Sequence, residues 1–151
     1  MEAKPAEITV AGHICLDMIP AIGTCAGGLN ELLMPGKLVD VGPAVTATGG
    51  AVSNTGLALY RLGIPTRLMG KVGDDLFGKA ILDLLNRSGR GLADDMIVAP
   101  GEMSSYSVVI SPPGIDRVFL HCTGTNDTFA LADLDLDKIA ATRLFHFAIR
   151  H

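Results

Sequence analysis

Apolar positions fall into two rhythms along this chain. Residues 8–16, ITVAGHICL, form a short continuous apolar run, β-branched at its start and bounded by Pro5 and Asp17. Such a run suits a strand buried on both faces in a parallel sheet. Residues 21–36 are glycine-rich, close on Met-Pro-Gly and read as loop. Residues 37–48 alternate weakly through Leu38, Val41 and Val45, which predicts an exposed antiparallel strand pair broken at Gly42-Pro43. A helix is predicted over 53–62, with Ser53 as N-cap and Gly63 as its stop. A second buried strand follows over 67–72.

The helical rhythm is clearest after Asp74 and Asp75, either of which can cap a helix. Phe77, Ala80, Ile81, Leu84 and Leu85 repeat at i, i+3, i+4, i+7 and i+8, and Gly89 ends the pattern. Beyond it the period shortens to that of strands, at 96–98, 105–111 and 117–122. Pro112-Pro113-Gly114 forms the turn between the last two. A short helix over 133–141 and a final buried strand over 144–148 complete the pattern. Strand–helix alternation of this kind implies an α/β fold, a mostly parallel sheet flanked by helices, with an antiparallel accessory layer.

Composition narrows the class. The chain has 151 residues, 48% apolar and 19% charged, enough for one globular domain with its own core. Eighteen glycines against five Phe, two Tyr and no Trp favour a turn-rich α/β chain over a helical bundle. The net charge of −4 comes without a basic block, so no nucleic-acid partner is expected. Cys15, Cys25 and Cys122 form no CxxC pair and read as free thiols of a reducing compartment. The N-terminal segment lacks a charged start and a long apolar run, so the expectation is a cytoplasmic chain with no signal peptide and no membrane partner.

Candidate chemistry gathers at a few polar positions. Gly49 and Gly50 allow a tight turn and close approach to a ligand, or simply the cap of a core helix. Asn54 offers an acceptor and a donor to a hydroxyl-rich molecule. Asp17 follows the first apolar run, where open α/β sheets bind ligands, and can accept two hydroxyl hydrogen bonds or cap a turn. In the polar run 123–128, Asn126 is a ligand candidate or part of an Asx turn, and Gly124 sets the turn. Asp75 reads chiefly as a helix cap. The Gly-Lys at Gly70-Lys71 does not fit GxxxxGK[ST], and no GxGxxG occurs. His13, His121, His146 and His151 are scattered, and Asp133, Asp135 and Asp137 lack the spacing of a calcium loop. No metal ligand is assigned.

The stretch 49–78, GGAVSNTGLALYRLGIPTRLMGKVGDDLFG, resembles the N-terminal signature of the ribokinase/PfkB family of carbohydrate and nucleoside kinases. Gly49, Gly50, Asn54, Gly63 and Gly73 fall at its spacing. Val52 and Gly56 depart from it, where small residues and Ser, Thr or Ala are usual. The resemblance implies a ribokinase-like fold with a small antiparallel lid built from 37–48 and 96–122, a lid that often makes dimers. It implies a sugar or sugar derivative as the small-molecule partner, held by Asp17, Gly49, Gly50, Asn54 and Asn126. Many sugar-specific relatives carry an asparagine where this chain has Cys15. The implied reaction transfers the γ-phosphoryl group of ATP, with Mg²⁺, to a sugar hydroxyl.

The family's Gly-Ala-Gly-Asp motif, which holds the phosphates and the catalytic aspartate, is absent from this sequence. The expectation is therefore an N-terminal half with the C-terminal half absent, bearing the sugar half-site, inactive alone and binding neither ATP nor Mg²⁺. The ending just after an apolar strand fits that expectation. No catalytic residue is assigned. The alternatives are a non-catalytic sugar-binding module or pseudokinase, and a dimerising or partner-binding piece.

Overall fold

A computed structural model describes residues 6–149; Pro5 and His151, invoked above, lie outside the described residues. In chain order the elements are β1 (Ile8–Gly12), β2 (Cys15–Pro20), α1 (Gly28–Leu32), β3 (Ala44–Gly49) and α2 (Gly50–Arg61). They continue with β4 (Thr66–Met69), β5 (Lys71–Gly73), α3 (Leu76–Ser88), β6 (Ile97–Ala99), β7 (Tyr106–Ile110) and β8 (Val118–Cys122). Two 3₁₀ turns, Gly124–Asn126 and Leu131–Asp133, precede α4 (Leu136–Ala140) and β9 (Leu144–Ala148).

Three sheets result. A parallel sheet runs in the order β4-β1-β9, and β5 pairs in parallel with β6. A mixed sheet runs β3-β2-β7-β8, antiparallel except between β2 and β7. The architecture is the expected α/β one. Val10, Ile14, Leu16, Val52, Leu68, Val72, Ile81 and Leu85 form its core, on which α2 and α3 pack their apolar stripes. Phe77 of α3 meets Tyr106 of β7 edge to face, with ring centroids 5.2 Å apart, and ties the mixed sheet to that core.

Several boundaries differ from expectation. The run 8–16 is two strands in two different sheets, because the chain breaks at Gly12. Gly12 has φ +135°, and a Cβ there would lie 1.9 Å from the Ala148 carbonyl oxygen, so only glycine lets β9 and the bend coexist. The run 67–72 splits in the same way at Gly70, whose carbonyl accepts from Ile97 N–H at 2.9 Å and starts the β5–β6 pair. The 96–98 segment is thus in a parallel pair outside the mixed sheet. Within 37–48 only Ala44–Gly49 is a strand, and it pairs with β2 rather than with residues before Gly42. The expected loop 21–36 contains α1.

Helix α2 starts three residues before Ser53, with Gly49 at its N-cap. Ser53 is an interior residue whose hydroxyl donates back to the Thr48 carbonyl at 2.9 Å. The 133–141 helix shortens to α4, capped by Asp135, which accepts from Lys138 N–H at 3.1 Å. The last strand is not buried: Leu144 is 65% exposed, Phe145 44% and Phe147 45%. It pairs with β1 on one side, and among the described residues its other edge has no partner strand.

Candidate sugar site

A cavity of about 420 Å³ opens where the β1–β2 link, the mixed sheet, the start of α2 and the first 3₁₀ turn meet. Asp17, Gly50, Asn54 and Asn126 are all on its wall. They come from segments up to 109 positions apart (126 − 17). Asp17 lies within β2 rather than beyond a strand end, because the expected first strand divides before it. Its register partners are Ala47 of β3 and Ser107 of β7, and Ser107 is opposite His121 of β8. Residues in register share a sheet face, so Asp17, Ser107 and His121 form one polar row across three strands.

Cys15, two residues before Asp17, shares that face. Its Sγ donates to Asp17 Oδ1 at 3.3 Å. Burial and then the neighbouring Asp17 carboxylate push the Cys15 thiol up to about 12, so it stays a neutral, weak donor beside the carboxylate. Gly49 is not on the cavity wall but stands behind Asp17: a Cβ there would lie 2.3 Å from Oδ2. Its lack of a side chain gives the carboxylate its place.

Gly50 opens α2 with φ +85°, and a Cβ would lie 2.5 Å from the His13 carbonyl oxygen. Only glycine takes this φ without strain while letting the backbone approach so closely. The helix start docks there, with Val52 N–H donating to the same carbonyl at 3.1 Å. One turn into the helix, the Asn54 side chain is exposed and makes no hydrogen bond to another described residue, which leaves both its donor and acceptor for a ligand.

Asn126 is placed differently. It is 5% exposed; its Oδ1 accepts from Ile14 N–H at 3.2 Å, and its Nδ2 donates to the Ile14 carbonyl at 3.0 Å. The amide therefore closes the backbone gap between β1 and β2, whose ladders have no other use for those groups. Gly124, φ +50°, sets the turn that delivers it, and Thr125 anchors that turn by donating to the Lys71 carbonyl at 2.7 Å.

Asp75 is a structural cap. It accepts from Gly78 N–H at 2.8 Å, Ser104 N–H at 2.9 Å and Ser104 Oγ at 2.6 Å. Burial alone would raise its pKa, but the bonds from Ser104 and Gly78 outweigh burial and hold it below the ordinary carboxylate value. Lys71 is also structural: its ammonium sits between Glu102 at 3.4 Å and Asp133 at 3.5 Å, and donates to the Thr128 carbonyl at 3.2 Å. Pattern reading missed Ser107, Phe119 and His121 on the cavity wall. Alternation in 105–111 and 117–122 shows that these are strands, but which residue faces a neighbouring carboxylate depends on register.

Residues 8–148 match the description pfkB family carbohydrate kinase. Fructokinase-2 from Oryza sativa subsp. japonica is 26% identical over 147 residues, covering 96% of this chain and 40% of the rice protein. Ribokinase from Giardia lamblia superposes with a TM-score of 0.73 at 18% identity, over 97% of this chain and 43% of that one. Fructokinase from Xylella fastidiosa gives 0.71 at 18% identity, over 93% and 40%. At such identities the solved structures show the ribokinase-like fold alone. The chain spans about 40% of the length of the curated relatives it matches. With the match running through nearly every described residue, this chain belongs to the pfkB family of carbohydrate kinases.

Proposed function

We propose that the chain carries the sugar-recognition half-site of a kinase that transfers the γ-phosphoryl group of ATP to a sugar hydroxyl. The observation that carries this reading is the convergence of Asp17, Gly50, Asn54 and Asn126 on one cavity, with Gly49 backing Asp17. The Asp17 carboxylate accepts from sugar hydroxyls, and charge-assisted bonds of this kind are about twice as strong as neutral ones. Asn54 pairs with a further hydroxyl in either sense. Asn126 acts mainly by holding the backbone beneath the sugar.

The wall has, among the described residues, no Lys or Arg to hold phosphates. Among the described residues no group of three His, Cys, Asp or Glu side chains is arranged to hold a metal ion. The described wall residues offer ATP phosphates no fixed cation and Mg²⁺ no ligand cluster, so no phosphoryl-transfer step is assigned to them. Alone, the chain is proposed to bind sugar without turnover and without MgATP. No described helix is long and apolar enough to cross a membrane, and a cytoplasmic site of action is proposed. A second copy of the chain is proposed as partner across the mixed sheet, where Val45 and Leu120 are exposed.

A thermal-shift panel of pentoses, hexoses, sugar acids and nucleosides, with and without MgATP, tests the reading. Ligand at 100 times Kd adds about 2.7 kcal/mol of stability. For a domain of this size that raises Tm by about 5–10 °C. The expected outcome is a shift with one sugar class, unchanged by MgATP, and no sugar-dependent ADP release. A flat panel over a cooperative transition overturns the half-site; ADP release overturns the lack of turnover.

A further inference from the structure

We infer that His121 is a specificity-determining residue of this cavity, and that the cavity takes a neutral, hydroxyl-rich monosaccharide. This rests on the sugar half-site reading above and adds to it a residue and a substrate class.

The geometry begins with the row across β2, β7 and β8. Asp17 and His121 are two strands apart, so about 10 Å separates their backbones. The short Ser107 between them leaves a trough of monosaccharide width. Ser107 Oγ is 2.9 Å from His121 Nδ1, which fixes the imidazole ring and commits that nitrogen. Among the described residues Nε2 has no partner. A sugar hydroxyl both donates and accepts, so Nε2 pairs with it in either tautomer. Phe119, two residues before His121 on the same face, adds an apolar surface for the sugar's C–H side.

The charge balance selects the class. Among the described residues Asp17 is the sole carboxylate on the wall, and no described lysine or arginine lines it. Arg117 sits over the Phe119 ring, 5.4 Å from its centroid, and is not a wall residue. A sugar carboxylate or phosphate entering here would face Asp17 with no fixed positive charge among the described wall residues to offset it, and Coulomb repulsion at such range is costly once water is displaced. Hydroxyls find Asp17, Asn54 and His121 as partners.

Isothermal titration of the whole chain tests this, using fructose, glucose and ribose against gluconate. Wild type is compared with His121→Phe, His121→Gln and Asp17→Ala. His121 is exposed, so its replacement leaves the core untouched, and melting curves confirm folding. The expected result is binding of at least one neutral sugar, with gluconate at least tenfold weaker. His121→Phe should raise Kd about tenfold, the loss of one good hydrogen bond. Gln, whose amide reaches the place of Nε2, should recover most of it, which a merely structural histidine would not show. Loss of binding in Asp17→Ala with His121→Phe within twofold of wild type overturns the inference and leaves the half-site standing. So does tighter binding of gluconate than of every neutral sugar. Failure of the wild-type chain to bind any of the four overturns both.

Discussion

Removing the Asn126 amide should destabilise the fold more than its place on a cavity wall suggests. Ile14 is fully buried, and its N–H and C=O are both paired to that one side chain. Asn126→Ala strands both groups at about 1–3 kcal/mol each, or about 2–6 kcal/mol together. With an m-value of about 2 kcal/mol/M, the urea midpoint should fall by about 1–3 M.

Asn126→Asp separates the two bonds. The introduced carboxyl can still accept from Ile14 N–H, but an ionised oxygen would face the Ile14 carbonyl where Nδ2 now donates. Protonated, it donates there instead, so its pKa is raised in the folded state. A raised folded pKa means that stability is present below the unfolded value, about 3.9, and is lost as pH rises above it. The deficit of Asn126→Asp against wild type should therefore be small near pH 4 and large at pH 7. Thr125→Val, which loses a single bond to the Lys71 carbonyl, serves as control at about 1 kcal/mol with no such pH trend. An Asn126→Ala protein within 0.5 kcal/mol of wild type, or an Asp variant with a pH-independent deficit, would refute the role given to this amide.

Asp75, held below its ordinary pKa, stabilises the fold fully above the unfolded carboxylate value and loses that contribution as pH falls through the folded one; Asp75→Asn should cost about 1–3 kcal/mol at pH 7 and flatten the acid limb of a stability–pH curve measured by urea melts. Cys15, with its thiol raised to about 12, should be the last of the three cysteines alkylated by iodoacetamide in the native chain at pH 8, followed by peptide mass spectrometry; modification of Cys15 ahead of Cys25 would contradict its burial. Gly49→Ala puts a methyl group 2.3 Å from Asp17 Oδ2 and should weaken sugar binding at least tenfold in calorimetry, by displacing the carboxylate; unchanged affinity would show that Asp17 does not hold the sugar.

What the sequence determined by itself was local. The i, i+3, i+4 recurrence of Phe77 to Leu85 is a property of neighbouring residues, and α3 runs where it predicts, with Asp75 at its N-cap. Apolar runs located the strand-forming segments, and the glycine–asparagine spacing of 49–78 identified the family. The Val52 and Gly56 departures from that spacing became intelligible only in three dimensions. Val52 is fully buried in the core, and a Cβ on Gly56 would lie 2.2 Å from Leu68 Cδ2, so α2 rests closely on β4 and the usual side chain there would make the buried Leu68 shift.

The tertiary structure decided whatever depended on distant partners. The run 8–16 is uniformly apolar, and nothing in its pattern marks the change of sheet at Gly12. That break is set by the Ala148 carbonyl and by Asn126, 112 positions from Ile14. The same holds for His121, one scattered histidine among four in the sequence. It faces the Asp17 row because two strand registers place it there, and a one-residue slip in either would turn it to the other side of the sheet. The exposure of β9 is decided in the same way, since an apolar strand is buried only when something packs on it. Periodicity encodes which face of an element is apolar; hydrogen-bond register and long-range contact decide what that face meets.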